Sequence, residues 1–149
     1  MKSLFHELIN YDYWANNEIL TILEHQKVID KDILMFHHIL EAQRVWVHRI
    51  LGLPIDLSWF DDNLNIIEFR PIMEASVQKI RAYLETAPNL EQSVHFQNIN
   101  KENSSFKSCD ILFHFLNHGT HHRAQILISL KNQGISIPDL DYLHWKNII

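Results

Sequence analysis

The chain has 149 residues, of which 46% are hydrophobic and 11% aromatic, and its formal net charge is −5. This length and composition suffice for one hydrophobic core, and three glycines and four prolines leave little room for linkers, so we expect a single domain over residues 1–149. The negative charge and the lack of a Lys/Arg run argue against a nucleic-acid partner.

Two amphipathic helices are predicted in the first third of the chain. The first runs from about Ser3 to Glu24, where apolar residues recur at steps of three and four and indicate one buried face. The second runs from about Asp30 to Leu51 and ends at Gly52, a left-handed cap, before Pro54. The predicted stripes are Leu4, Leu8, Tyr11, Ala15, Ile19 and Ile22 in the first helix, and Met35, Ile39, Ala42, Trp46 and Ile50 in the second.

The middle of the chain predicts a third helix followed by a short hairpin. Pro71 suits a first helical turn, and apolar residues continue at helical spacing until Pro88. Residues 65–69 are also compatible with helix, so an earlier start is an alternative. Between Glu91 and Lys107 apolar and polar residues alternate around a turn-like segment, which favours a hairpin or an irregular excursion.

A fourth helix is predicted from Ser108, as its N-cap, to about Gln133, with Gly134 as its C-cap. The apolar tail after it is expected to pack back on the body of the protein. Four helices with one inserted hairpin make an all-α four-helix bundle the simplest architecture. Periodicity does not show whether the helices run up and down or are joined by a crossover.

The sequence lacks the features of a secreted protein, of a membrane-spanning protein and of a protein with disulfide or CxxC sites. The first apolar run breaks at His6 and Glu7, so we expect no signal peptide. No stretch approaches the ~18 uninterrupted apolar residues that a membrane span needs. Cys109 is the one cysteine, which leaves no intrachain disulfide and no CxxC pair. We therefore expect a cytoplasmic protein without a membrane partner.

Histidine is the unusual residue, with 11 copies. The segment NHGTHHRAQ of the fourth helix places His118 and His122 four residues apart on its apolar face, within ~40° of each other. Imidazole nitrogens on such a face need partners, and a divalent transition metal ion would satisfy both. An ordinary histidine pair without a metal is the alternative. His114 and His121 lie near the same face, so spacing alone does not choose the pair.

A third ligand must come from another helix, and the second helix offers His37 and His38. His38 lies four residues before Ala42 and so shares the predicted buried stripe, whereas His37 points more to the side. Three neutral imidazoles would leave one or two coordination positions free, as in catalytic metal sites. The sequence contains no HExxH, GxSxG or P-loop motif that would favour another chemistry.

Three segments, in the expected order, together resemble the DinB superfamily. Residues 111–143 are similar to its C-terminal block, a helix reading NHxxHHRGQ followed by a PxxD tail. Residues 38–50 are similar to its second-helix block, and residues 11–20 resemble its YxxWAN signature. Ala124 stands where the family usually has glycine, next to the ligand segment but not in a ligand position.

The resemblance implies a four-helix bundle with a long crossover, often paired as a homodimer. It also implies a divalent metal ion, zinc or nickel, held by His38, His118 and His122, the same residues that helical spacing favours. Aromatic residues outside the predicted stripe of the first helix, Phe5, Tyr13 and Trp14, would supply a second apolar face for a dimer. Covering by the C-terminal tail is the alternative for these aromatic residues.

Family resemblance also suggests what the metal would do. Some members use the metal to activate a low-molecular-weight thiol, such as bacillithiol or mycothiol, for transfer to a small electrophile or for isomerisation. The first hypothesis is therefore a metal-dependent thiol S-transferase. A non-catalytic metal-binding dimer with a stress or binding role is the second, and a metal-dependent hydrolase is the third.

Overall fold

The structure is a computed structural model that describes residues 1–60, 65–98 and 100–149. Most of these residues are helical, which confirms the all-α class, and the predicted hairpin precedes the last long helix. The helices are α1 (Lys2–His25), α2 (Asp30–Leu51), α3 (Phe69–Thr86), α4 (Ser108–Asn132) and α5 (Tyr142–Ile148), and the antiparallel hairpin is formed by β1 (Ser93–Gln97) and β2 (Asn103–Lys107).

The ends of the helices follow the predicted signals, with two corrections. α2 ends at Gly52, whose φ of 64° is the left-handed cap expected there. Ser108 is the first residue of α4 and not its N-cap, which is Lys107; the Ser108 hydroxyl instead accepts a 2.7 Å hydrogen bond from Tyr83 and donates one of 3.2 Å to the Gln92 carbonyl. At the other end Gln133 is the C-cap, and Gly134 takes the left-handed conformation one position later.

The third helix starts earlier than Pro71. α3 begins at Phe69, directly after a 3-10 turn at Ile66–Glu68. The Asn65 side chain accepts a hydrogen bond from the backbone N–H of Ile67, so it fixes the start of this turn. Another 3-10 turn, Leu57–Phe60, follows α2.

The buried faces of α1 and α2 are rotated from the predicted stripes. In α1 the buried apolar residues include Phe5 and Ile9, whereas Leu4 is 56% exposed. Polar residues, Asp12 in α1 and Gln43 in α2, occupy the centre of the buried faces and are 1% exposed. Because the predicted stripes contain apolar residues almost alone, they miss these buried polar positions, and the predicted buried face of each helix is rotated from the observed one.

α1 and α2 each pack mainly against α3 and α4, and they meet each other at few positions. The core has two apolar clusters. Ile9, Val47 and Phe115 belong to one, and Ile19 and Ile126 belong to the other. Along each of α1, α2 and α4, buried polar residues lie between the two clusters: Asp12 and Asn16 in α1, Gln43 in α2 and Arg123 in α4.

The C-terminal tail packs back on α1, as predicted. The Tyr11 hydroxyl donates a 2.7 Å hydrogen bond to the Leu140 carbonyl, and its ring contacts Tyr142 and Trp145 at centroid distances of 5.4 and 5.8 Å. Trp14 contacts His144 in the same way. Phe5 is buried in the core, so the prediction that it belongs to a second, outer apolar face is wrong. Within the described ranges, no helix is both long enough and apolar enough to cross a membrane.

Candidate metal centre

Three imidazole rings meet where α2 packs against α4. One nitrogen each of His38, His118 and His122 lies within 4.8 Å of the other two. The ring centroids are 5.1 Å apart for His38 and His118, 4.9 Å for His38 and His122, and 4.4 Å for His118 and His122. The structure thus brings together the three residues that the sequence singles out.

The two histidines of the second helix face different neighbours. The His38 side chain is 50% exposed, so the prediction that it shares the buried stripe of α2 is wrong. Its position at the edge of the helix contact leaves the three-histidine cluster open to solvent. His37 is 12% exposed and stacks on Phe69 of α3 at 5.5 Å, away from the cluster.

The spacing of the nitrogens fits a small cation. The Nε2 atoms of His118 and His122 are 3.2 Å apart. Zinc–nitrogen bonds of about 2.0–2.1 Å at a tetrahedral angle give a nitrogen–nitrogen separation of about 3.3 Å. A donor set of imidazole nitrogens suits zinc, copper, nickel or iron. His38 needs only a small shift to complete the set, because its nearest ring nitrogen is within 4.8 Å of the other two.

Burial and neighbouring groups favour the neutral form of His118 and His38. Burial, together with smaller contributions from the neighbouring His122 and His38, lowers the pKa of His118 to about 4. Burial also lowers the pKa of His38, with a second contribution from His122. A neutral imidazole has a free lone pair, which is the form that binds a metal. At neutral pH both residues are therefore ready to coordinate.

A polar partner three residues further along α4 orients the His122 ring. The Nδ1 atom of His122 lies 2.8 Å from the amide oxygen of Gln125, so the ring donates there and Nε2 carries the lone pair that faces His118. Nδ1 of His38 lies 3.8 Å from a carboxylate oxygen of Glu41. Sequence analysis predicts neither Gln125 nor Glu41 as a site residue. A polar residue three positions after each candidate ligand is nevertheless a sequence feature that could have pointed to them.

The other histidines of α4 lie beside the cluster. His114 is one turn before His118, with ring centroids 5.6 Å apart, and packs edge-on against Trp46 at 4.9 Å. His121 contacts the ring of His122 and the Gln125 amide. Neither belongs to the group of nitrogens that converge.

A buried ion pair lies directly behind the cluster. Asp12 of α1 and Arg123 of α4 are 1% and 3% exposed, and their charged groups are 2.5 Å apart. The other Asp12 oxygen accepts hydrogen bonds from Gln43 at 2.7 Å and from Asn16 at 3.1 Å. This network connects α1, α2 and α4 immediately next to the ligand positions, because Arg123 follows His122 in the chain.

Gly119 makes room for this network. A Cβ atom at this position would lie 3.0 Å from both Arg123 Nη1 and Asp12 Oδ1. Sequence reasoning missed these polar residues as part of the site, although all of them fall in the three segments that resemble the DinB superfamily. Among the described residues, the Gln43 Oε1 atom is the one buried side-chain atom without a hydrogen-bond partner.

A cavity of about 700 Å³ lies on the α3 side of α2, away from the three histidines. His37, Arg44 and Trp59 contribute to its lining, and the Arg44 guanidinium lies 3.9 Å from the centroid of the Trp59 ring. Residues 61–64, next to this cavity in the chain, are outside the described ranges, so we assign it no ligand.

A comparison with known protein families finds a match that spans the clustered histidines. The sequence model described as the DinB family matches residues 32–148, which include α2, α4 and all three clustered histidines. The YxxWAN segment of α1 precedes the matched range. Neither the curated proteins nor the solved structures gave a match. Because the family match covers well over half of the sequence, the chain belongs to the DinB family.

Proposed function

We propose that the protein holds one divalent metal ion, zinc or nickel, through His38, His118 and His122, and that it is a metal-dependent thiol S-transferase. The observation that carries the proposal is the convergence of three imidazoles, two with Nε2 atoms 3.2 Å apart, at a position open to solvent beside His38. Three protein ligands leave space for a small molecule at the ion.

The donor set favours an anionic ligand. All three residues bind as neutral imidazoles, so the site keeps the full positive charge of a divalent ion. When bound, such an ion lowers the pKa of a coordinating thiol and supplies a thiolate at neutral pH. In the transfer, a bond forms between the thiol sulphur and an electrophilic carbon. The leaving group departs with its bonding electrons, and the thiol proton passes to water.

The protein's own residues orient the metal ligands and leave one side of the site accessible to substrates. Gln125 fixes the tautomer and orientation of His122, and the network behind Arg123 fixes the backbone of α4 at the ligand positions. The half-exposed side of His38 is the route by which a thiol and an electrophile enter.

Architecture and assembly complete the proposal. We propose the family's four-helix bundle with a long crossover, supported by the packing of α1 and α2 against both α3 and α4. A homodimer in the cytoplasm, where low-molecular-weight thiols are kept reduced, is part of the same proposal.

Two other functions share the same site. A non-catalytic metal-binding protein with a stress or binding role needs the three histidines but no substrate. A hydrolase would use the ion to activate water, for which three neutral histidines are also suitable. The open side of the cluster favours an enzyme over a sealed binding site.

Metal analysis of protein purified without an affinity tag tests the first half of the proposal. We expect one zinc or nickel ion per chain, and we expect alanine at His38, His118 or His122 to remove most of it while the helical content is kept. Alanine at His114 or His121 is the matched control and should leave the metal in place. Full occupancy in the His118→Ala variant would show that the ligand assignment is wrong.

A conjugation screen tests the second half. The metal-loaded protein is incubated with bacillithiol or mycothiol and a panel of electrophiles, and product formation is followed by mass spectrometry. Turnover that disappears with the metal supports the transferase. Metal binding without conjugation, or with hydrolysis alone, would favour one of the other two functions.

A further inference from the structure

A second, mainly apolar cavity of about 330 Å³ lies one helical turn from the three-histidine cluster. Trp46 of α2, Phe106 of β2 and Ile111 of α4 form most of its lining, together with Asp110 and His114. Ile111 is 2% exposed and closes the inner end, whereas Phe106 is 50% exposed and stands at the outer end. The cavity is in the size range of small-molecule sites, which starts at roughly 300 Å³.

His114 connects this cavity to the cluster. Its ring lies 4.9 Å from Trp46 on one side and 5.6 Å from His118 on the other. One turn of helix rises about 5.4 Å, so a ligand held at the cluster reaches the cavity with a chain of about three or four bonds.

The walls of the cavity are held in place before a ligand binds. The Arg49 guanidinium lies 4.5 Å from the Trp46 ring centroid and 4.3 Å from that of Phe96 in β1. Phe96 in turn contacts both Trp46, at 5.7 Å, and Phe106, at 6.1 Å. The hairpin therefore forms a fixed aromatic wall opposite the start of α4.

The chemistry of the lining selects one kind of occupant. Trp46, Phe106 and Ile111 offer carbon surfaces that gain free energy by covering an apolar group. A charged substituent of either sign would lose its hydration against these carbon surfaces, and Asp110 in the lining also repels an anion. The occupant is thus uncharged and either aromatic or branched aliphatic.

We propose that the Trp46–Phe106 cavity binds an uncharged aromatic or branched aliphatic substituent of the small molecule held at the three-histidine cluster. The inference rests on the proposed function, because it takes the cluster to be the place where that molecule's reactive group binds. It makes Trp46 and Phe106 specificity-determining residues.

Cobalt(II)-loaded protein gives a direct test by binding, without turnover. Propane-1-thiol and 3-phenylpropane-1-thiol are titrated, and thiolate binding is followed by the sulphur-to-cobalt charge-transfer absorption. We expect the phenyl compound to bind at least about tenfold more tightly, in line with burial of one ring. Phe106→Ala should reduce this ratio to about threefold or less and leave the affinity for propane-1-thiol unchanged.

Phe113→Ala is the matched control, because Phe113 is also an exposed phenylalanine, 63% accessible, but lies outside the cavity lining. It should keep the affinity ratio of the unaltered protein. An equal loss of the ratio in both variants, or in neither, would overturn the proposed cavity while leaving thiol binding at the cluster intact.

A metal-free experiment separates the cavity from the proposed function. The probe is 3-phenylpropan-1-ol, which has no thiol, and the readout is the indole N–H signal of Trp46 in a nitrogen–proton correlation spectrum, assigned with Trp46→Phe. A saturable shift of that signal supports the cavity even if neither thiol binds the cobalt protein, an outcome that would refute the transferase alone. No shift of that signal would overturn the cavity.

Discussion

Replacing Asp12 by asparagine tests how strongly the buried network holds the helices together. The change keeps the size of the side chain but removes the charge that faces Arg123. It also replaces one of the two carboxylate oxygens by an N–H₂ group, although one oxygen accepts from Arg123 and the other accepts from Gln43 and Asn16. A buried guanidinium is then left without its counter-charge.

The magnitude follows from the burial of the pair. Asp12 and Arg123 are 1% and 3% exposed, so water does not replace the lost partner. Breaking a buried ion pair by removing one member costs about 3–5 kcal/mol. Domains of this size unfold with about 5–15 kcal/mol, so the variant should keep only a fraction of its stability.

Urea denaturation followed by circular dichroism measures this loss. The control is Glu91→Gln, which removes an equally close but exposed ion pair, 2.6 Å from Glu91 to Lys107, with side chains 52% and 54% exposed. Exposed pairs contribute about 0–1 kcal/mol, so the control should unfold almost like the unaltered protein. If both variants lost the same free energy of unfolding, the importance given to burial of the Asp12–Arg123 pair would be refuted.

Three further predictions concern the cluster and its surroundings. Gln125→Ala removes the partner of His122 Nδ1, and competition with a chelator should show a metal affinity weaker by about 10–100-fold. Gly119→Ala places a Cβ atom 3.0 Å from Arg123 Nη1, and its free energy of unfolding should fall by about 1–3 kcal/mol, whereas an unchanged urea midpoint would show that the neighbours can move aside. The pKa of His118 is lowered to about 4 in the folded protein, so between the ordinary histidine pKa of about 6.5 and pH 4 the unfolded chain binds a proton that the folded chain does not. The metal-free protein should therefore lose stability as the pH falls through this window, and urea midpoints that do not change between pH 7 and pH 4.5 would contradict this.

Local signals predicted the elements well. α2 has the predicted bounds, Asp30–Leu51, because it has acidic residues in its first turn and a left-handed glycine after its last. The hairpin follows from a change of period, since Val94 is buried while its neighbours in the strand are largely exposed. Such signals depend on a few adjacent residues, and tertiary contacts do not override them here.

Features set by contacts between distant residues could not be predicted in this way. The orientation of α1 depends on Asp12 and Asn16 being buried against Arg123, more than 100 positions away in the chain. Ser108 carries a typical capping side chain, but its hydroxyl is hydrogen-bonded to Tyr83 and to the Gln92 carbonyl. The three clustered histidines were found because an i, i+4 pair and a family resemblance pointed to the same residues, whereas the exposure of His38 depends on how α2 and α4 cross.

The polar layer between the two apolar clusters has a consequence for the register of the helices. Apolar side chains tolerate sliding, because a leucine or isoleucine finds similar neighbours one turn further along. The polar layer does not tolerate such sliding. A shift of one turn, about 5.4 Å, would separate the buried carboxylate of Asp12 from the buried guanidinium of Arg123 and from Gln43. Gln43 is on the same helix as His38, and Arg123 directly follows His122. The network that sets the register thereby sets the distance between the imidazoles before any ion arrives, so metal binding need not supply the free energy to assemble the cluster.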